Sequence, residues 1–99
     1  MVELNWTIGA IDDLGAIAEY IGRDSVKYAR IQVQKIRDKT RILQTMPRVG
    51  KRVRELDDGS IRELLEGRYR IIYKIVSEER IDILTIHHSS RLLSNNPNV

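Results

Sequence analysis

The sequence predicts an α+β fold in which two consecutive helices pack on a β-sheet, with elements in the order β-α-α-β-β-β-β. Residues 60–91, SIRELLEGRYRIIYKIVSEERIDILTIHHSSR, contain three apolar segments separated by short turns. Between residues 8 and 46, apolar residues instead recur every three or four positions, as on one face of a helix. Because the helices come early and most strands come late, the pattern favours separate layers over alternating βαβ units.

Size and composition indicate one ordinary globular domain spanning residues 1–99. The chain has 99 residues, 41% hydrophobic and 31% charged, and a chain of this length buries roughly 60–70% of its unfolded surface. It contains no cysteine, which excludes disulfides within the chain and thiolate chemistry. No apolar run is long enough for a membrane span, and no signal-peptide pattern opens the chain. We therefore expect a cytoplasmic protein with no cofactor and no metal.

The N-terminal half is predicted to form a strand followed by an antiparallel helical hairpin. Val2 to Trp6 reads as a short strand, and the first helix is predicted from about Ile8 to Ile21. Asp24 or Ser25 is expected to cap a second helix that runs to about Met46. Each helix carries an apolar stripe that needs cover from the sheet. The stripes consist of Ala10, Ile11, Leu14, Ile17, Ala18 and Ile21 in the first helix, and Val26, Ala29, Val33, Ile36, Thr40 and Leu43 in the second.

The second half is predicted to form four strands. Lys51 to Leu56 alternates weakly and is rich in charge, which suits an edge strand. Ile61 to Leu65, Tyr69 to Val76 and Ile81 to Ile86 form an antiparallel meander, and the last two are apolar on both faces, as central strands are. The polar tail, residues 92–99, is expected to be frayed. The residues expected in the core between helices and sheet are Leu14, Ile17, Ile36, Leu43, Ile72 and Leu84.

Antiparallel pairing should gather cationic residues at one end of the sheet. Arg68 and Arg70 begin the middle strand of the meander, and His87 and His88 end the last one, so their positions should coincide. Together with Arg91, these residues form a candidate site for an anion, either a phosphate or the carboxylates of a partner. The two histidines point to opposite faces of their strand, so both can hardly bind one metal, and we expect one of them to face the core, hydrogen-bonded and inert.

A second charged feature is the basic block from Lys35 to Arg54. It contains eight basic residues and one acid, Asp38, in a chain whose net charge is only +3. Such a concentration indicates a nucleic acid or an acidic protein segment as partner, whereas the alternative is a solvated helix face that continues into a basic loop. The residues of the block to which we assign partner binding are Lys35, Lys39, Lys51, Arg52 and Arg54.

Ordered motifs extend over nearly the whole chain. The first helix carries A-x-x-D-L-x-x-I-x-x-Y-I from Ala10, and a P-x-x-G-[R/K] loop starts at Pro47. V-R-E-L starts at Val53, I-R-E-L-L-x-G-x-Y-R-I-I-Y at Ile61, and I-L-x-I-x-H-x-x-R at Ile83. In this order they resemble the RelE/ParE superfamily of toxins from bacterial type II toxin–antitoxin systems, which implies a helical hairpin packed on an antiparallel sheet.

The resemblance implies two activities. ParE-like members poison DNA gyrase and are not nucleases, whereas RelE-like members are metal-independent, ribosome-dependent mRNA endonucleases. In a ribonuclease, Arg70 would hold the scissile phosphate with Arg68 nearby, and His88, His87 or Glu55 would transfer protons.

The opening helix motif and the H-x-x-R ending resemble the ParE branch more closely. The C-terminal tyrosine common among the ribonucleases is also missing. We therefore predict a ParE-like gyrase poison silenced by a small antitoxin with an acidic C-terminal segment. The target would be contacted by Arg68, Arg70, His88 and Arg91. The alternatives are an mRNA endonuclease acting at the ribosome and an inactive module that only binds an antitoxin.

Overall fold

A computed structural model describes all 99 residues, and the elements follow the predicted order. The elements are β1 (Glu3–Trp6), α1 (Ile8–Gly22), α2 (Val26–Thr40), β2 (Lys51–Arg52), β3 (Ile61–Glu66), β4 (Tyr69–Ile75) and β5 (Arg80–His88). They form one five-stranded sheet in the order β1-β5-β4-β3-β2, with the helical hairpin on one face. The α+β prediction is confirmed. The sheet is mixed, however, because β1 pairs with β5 in parallel while the other neighbours are antiparallel.

Side-chain caps start both helices. The Thr7 hydroxyl accepts a hydrogen bond from the Ala10 amide at 3.1 Å, and the Ser25 hydroxyl accepts one from the Tyr28 amide at 3.0 Å. The second helix ends at Thr40 rather than near Met46, and a short 3₁₀ turn, Arg41–Gln44, continues the chain. Neither helix is long and apolar enough to cross a membrane.

The main core lies between the hairpin and the sheet. Ile17 is partly buried against it, whereas Ile11 and Val26 are exposed, because the buried face of each helix is narrower than its apolar stripe. The residues of the main core are Ala10, Leu14, Ile36, Leu43, Leu64, Ile71, Tyr73, Ile81, Ile83 and Ile86.

The opposite face of the sheet carries a second, smaller core, and here the prediction for Ile72 and Leu84 is wrong. Ile72 alternates with its neighbours in β4 and therefore points away from the helices. Leu84 is the extra residue of a bulge, since Tyr73 pairs with Ile83 and Ile72 pairs with Thr85. Both side chains pack in the second core. Its buried members are Val53, Ile72 and Leu93, with Leu56, Ile61 and Leu84 partly buried around them.

Two segments outside the sheet cover this second core. The predicted strand from Lys51 to Leu56 is only two residues long, because Val53 turns inward and residues 53–58 leave the ladder to lie over the sheet. The tail, which we expected to be frayed, is instead packed. Leu93 is 3% exposed, because the apolar face of β4 and β5 has no helix layer and the tail supplies its cover.

Candidate functional site

The end of the sheet that carries the predicted cations is built by the β3–β4 turn and the end of β5. The turn consists of Gly67 and Arg68, and the φ of Gly67 is +58°, a conformation that glycine adopts most readily. Beyond the turn, the Ser89 amide donates to the Arg68 carbonyl at 2.8 Å, so the β4–β5 ladder continues to the last residues of this end. The residues gathered here are Arg68, Arg70, His87 and His88.

Arg70 lies on the sheet face away from the helices and is held by two carboxylates. Its Nη1 and Nη2 donate to the Glu55 oxygens at 2.7 and 2.9 Å, and its Nη2 and Nε donate to the Glu63 oxygens at 2.6 and 3.1 Å. The Arg70 side chain is 12% exposed and that of Glu63 is 3% exposed. We name Glu55, Glu63 and Arg70 the carboxylate clamp. It ties the loop after β2 to the sheet.

The clamp shifts the ionisation of its members. The hydrogen bond from Arg70 lowers the pKa of Glu55 to about 2, and the hydrogen bonds to Glu55 and Glu63 raise the pKa of Arg70. Two carboxylates and one guanidinium carry a net charge of −1. Arg70 therefore has little capacity left for a phosphate, although the sequence places it at the centre of the cationic end.

The cations that remain open at this end are Arg68 and Arg91. Both are exposed, and neither takes part in a salt bridge. His87 adds no accessible donor, because its ring is buried. Its Nε2 lies 2.9 Å from the Arg91 carbonyl oxygen, and its Nδ1 lies 3.0 Å from the side-chain Nδ2 of Asn96. His87 therefore holds the tail in place.

His88 is half-buried and faces a cleft on the helix side of the sheet. Its ring meets Tyr69 edge-to-face, with ring centroids 5.4 Å apart. Its Nδ1 lies 3.1 Å from the Ser90 amide nitrogen and 2.7 Å from the Ser90 hydroxyl. These contacts fix the ring plane and leave Nε2 without a partner in the chain.

The cleft itself has a volume of about 950 Å³ and lies between α1, the end of β5 and the tail. No sequence pattern indicates this cleft, because its walls come from segments that are distant in sequence. Tyr20 of α1 and Arg91 line it, as does Asp13, whose carboxylate accepts hydrogen bonds from the Ile86 amide at 3.2 Å and from the Thr85 hydroxyl.

The basic block lies on the surface. Lys35, Lys39, Lys51, Arg52 and Arg54, the residues assigned to partner binding, are all exposed. Lys35 and Lys39 are one helical turn apart on α2, and Lys51 and Arg52 form the edge strand β2. The one acid of the block, Asp38, is engaged by Arg41 at 3.4 Å, which leaves the other basic side chains without a salt-bridge partner.

The fold is a small α+β domain with exposed cations at one end of its sheet, and comparison with known proteins identifies its family. A family model described as "ParE toxin of type II toxin-antitoxin system, parDE" matches residues 4–93. The chain therefore belongs to the ParE toxin family, which confirms the predicted branch of the RelE/ParE superfamily.

Solved structures agree with this assignment. The chain is similar to a protein of the chromosomal ParDE TA system from P. aeruginosa, with a TM-score of 0.72 and 27% identity over 89% of this chain and 96% of that one. A YoeB/ParE toxin from Agrobacterium tumefaciens shares the fold, with a TM-score of 0.60 and 20% identity over 88% of this chain and 98% of that one. No curated protein sequence matches the chain significantly.

Proposed function

We propose that this ParE-family toxin arrests growth by poisoning DNA gyrase in the bacterial cytoplasm and is neutralised by a cognate antitoxin. Membership of the ParE family supports the proposal, as does similarity to a protein described as part of a ParDE system. A gyrase poison acts by binding a protein–DNA complex and needs no catalytic group of its own. The site has to supply a binding surface only.

The carboxylate clamp is the observation that carries the choice of target. An mRNA endonuclease would need Arg70 free to stabilise the charge that develops on the phosphate. Here four hydrogen bonds from Arg70 go to Glu55 and Glu63. Releasing Arg70 would leave the buried carboxylate of Glu63 unpaired, which typically costs about 3–5 kcal/mol. The proposed gyrase contact therefore uses Arg68, His88 and Arg91, whereas Arg70 holds the loop that contains Glu55.

The proposed antitoxin surface is the exposed part of the basic block, from α2 to the edge strand β2. An acidic segment can pair its carboxylates with these side chains, and the free edge of β2 can accept main-chain hydrogen bonds. A disordered segment that folds on binding suits such an extended surface.

The order of events in growing cells tests the target. The chain is expressed from an inducible promoter, and SOS induction, chromosome breakage and protein synthesis are followed in time. We expect SOS induction and double-strand breaks before protein synthesis falls. If protein synthesis stops first and mRNA is cut, the target is the ribosome. Normal growth would instead support an inactive module that binds an antitoxin.

Variants tested in the same growth experiment locate the surface that contacts the target. Arg68→Gln and Arg91→Gln remove the open cations without touching the clamp and should reduce toxicity. Lys74→Gln is the matched control, because Lys74 is exposed but lies at the other end of β4. Unchanged toxicity in a variant that combines both arginine substitutions would remove these residues from the target contact.

A further inference from the structure

Asp13, the acid of the first-helix motif, accepts hydrogen bonds from three groups in the C-terminal part of the chain. The next residue, Leu14, is buried in the main core, so the Asp13 side chain lies at the border between α1 and the sheet. Its Oδ2 accepts from the Thr85 hydroxyl, from the Ile86 amide at 3.2 Å and from the side-chain Nδ2 of Asn98 at 3.2 Å. One carboxylate oxygen therefore joins α1 to the end of β5 and to the tail.

The hydrogen bonds continue from Asp13 to Arg91 with one direction of donation. The Thr85 hydroxyl gives its only proton to Asp13, so it accepts from the side-chain Nδ2 of Asn96, which lies 2.9 Å away. The same Nδ2 has a second proton to donate, and His87 Nδ1 lies 3.0 Å from it. His87 must then carry its own proton on Nε2, because the Arg91 carbonyl oxygen, 2.9 Å from Nε2, can only accept.

Asn98 closes this set of contacts. Its backbone amide donates to Asn96 Oδ1 at 2.8 Å, which fixes the end of the Asn96 side chain that faces His87. We name Asp13, Thr85, His87, Asn96 and Asn98 the Asp13 network. Thr85 is fully buried and His87 is 6% exposed, so breaking the network leaves buried polar groups without partners. The network therefore holds the tail against α1 and β5.

Arg91 is held at both of its backbone groups. Its carbonyl accepts from His87, and its amide donates to the His88 carbonyl at 3.1 Å. Within the same turn, the Ser90 amide donates to His88 Nδ1 at 3.1 Å, so residues 88–91 form one fixed unit. His88 and Arg91 both line the cleft. Their positions are thus set by a network to which neither side chain belongs.

We propose that Asp13 is a positioning residue, which fixes through this network the turn that presents His88 and Arg91 to the target. The inference rests on the proposed gyrase contact and adds a residue that acts on the target through other residues. It also gives a physical role to the acid of the A-x-x-D-L motif.

The tautomer of His87 tests the network in the unsubstituted chain. At neutral pH, we expect the chemical shifts of the ring nitrogens to place the proton on Nε2. In Asp13→Ala, the order of donation is no longer imposed, and we expect a mixture of tautomers. A His87 ring that carries its proton on Nδ1 in the unsubstituted chain would overturn the inference.

Two substitutions of Asp13 separate the loss of the acceptor from the loss of the charge. Asp13→Ala removes the acceptor, whereas Asp13→Asn keeps an amide oxygen that can take the place of Oδ2. We expect the Arg91 amide to exchange about tenfold faster in Asp13→Ala, the loss of about one hydrogen bond, and at the unsubstituted rate in Asp13→Asn.

Trapping of gyrase on DNA by the same variants tests the positioning itself. The toxin concentration for half-maximal trapping should rise about tenfold in Asp13→Ala and return to the unsubstituted value in Asp13→Asn. Tyr73→Phe leaves the network intact and controls for a general loss of stability. Trapping by folded Asp13→Ala at the unsubstituted concentration would overturn the inference, whatever its exchange rate.

A matched pair of glycines in α1 covers the case in which Asp13→Ala does not fold. A Cβ on Gly9 would lie 2.5 Å from Asn98 Oδ1, whereas a Cβ on Gly15 would meet nothing within 4 Å. Alanine is the better helix former, so both variants should keep α1. Gly9→Ala should speed exchange of the Arg91 amide and weaken trapping, and Gly15→Ala should do neither. Identical behaviour of the two variants would overturn the inference.

The unsubstituted chain separates this inference from the proposed target. If that chain arrests growth without trapping gyrase, the target assignment fails, and growth arrest by the Asp13 variants decides whether Asp13 positions the contact. If it neither traps gyrase nor arrests growth, both proposals fail.

Discussion

The Tyr73 hydroxyl holds the loop before β2 through Gly50. It accepts a hydrogen bond from the Gly50 amide at 3.0 Å and donates one to the Pro47 carbonyl at 2.8 Å. A Cβ on residue 50 would lie 2.6 Å from that hydroxyl, so only glycine fits. These contacts give a physical reason for the spacing of Pro47 and Gly50 in the loop motif, because one buried side chain of β4 forms hydrogen bonds with both residues.

Removing this hydroxyl should destabilise the protein. Tyr73→Phe leaves the Gly50 amide buried without an acceptor, and we expect a loss of about 1–3 kcal/mol in the free energy of unfolding. Tyr20→Phe is the control, because that ring is exposed. Urea unfolding of both variants checks the prediction, and equal stability of Tyr73→Phe and the unsubstituted chain would contradict it.

The tail offers a matched pair of leucines. Leu93 is 3% exposed in the second core, whereas Leu92 is 70% exposed. Leu93→Ala should lower the free energy of unfolding by about 2–5 kcal/mol, the range for a buried leucine, while Leu92→Ala should change it little. Similar small effects in both variants would mean that the tail is frayed in solution.

The carboxylate clamp should make the free energy of unfolding depend on pH. The pKa of Glu55 is lowered from 4.5 to about 2 by the hydrogen bond from Arg70, so its ionised form stabilises the folded state above pH 4.5. That contribution is lost as the pH falls from 4.5 to about 2. Because the Glu55 side chain is 43% exposed, we expect at most about 1 kcal/mol.

The difference in the free energy of unfolding between the unsubstituted chain and Glu55→Gln separates the contribution of Glu55 from those of the other carboxyl groups. The unsubstituted chain should be the more stable at pH 6, and the difference should shrink toward pH 2.5. Glu78→Gln, in an exposed turn, is the control and should show no such trend. A difference between Glu55→Gln and the unsubstituted chain that stays constant with pH would argue against the clamp.

Charge steering should govern antitoxin association. A variant with Lys51, Arg52 and Arg54 changed to serine should associate more slowly with the adjacent gene's product at low salt, and the difference should fade as ionic strength rises. Stopped-flow measurement of association rates checks this. Equal rates at low salt, or rates indifferent to salt, would exclude the electrostatic contribution.

Local patterns predicted the elements well, because periodicity and caps act over a few residues. They did not predict which of the two cores each strand residue packs in. Ile72 lies in an apolar strand whose two faces look equivalent in sequence, and only the packing of Val53 and Leu93 distinguishes them. The parallel pairing of β1 with β5 joins segments at opposite ends of the chain, so no turn signals its direction.

The sequence predicted which residues meet at this end of the sheet, but not the partners of Arg70. The register of β4 and β5 follows from a short turn, and it brings Arg70 beside His87 as expected. The partners of Arg70 could not be read from the sequence, because Glu55 belongs to a loop that we predicted to be a strand. A carboxylate brought close by tertiary packing therefore changed the interpretation of the arginine.

Trapping of DNA gyrase on DNA tests the proposed action of this chain on that enzyme most directly. Purified chain is incubated with supercoiled plasmid and gyrase from the organism that carries the gene, and the reaction is stopped with detergent and protease. We predict linear plasmid that increases with toxin concentration and disappears when the antitoxin is added first. No linear DNA, together with cleavage of mRNA on purified ribosomes, would contradict the proposed action on gyrase.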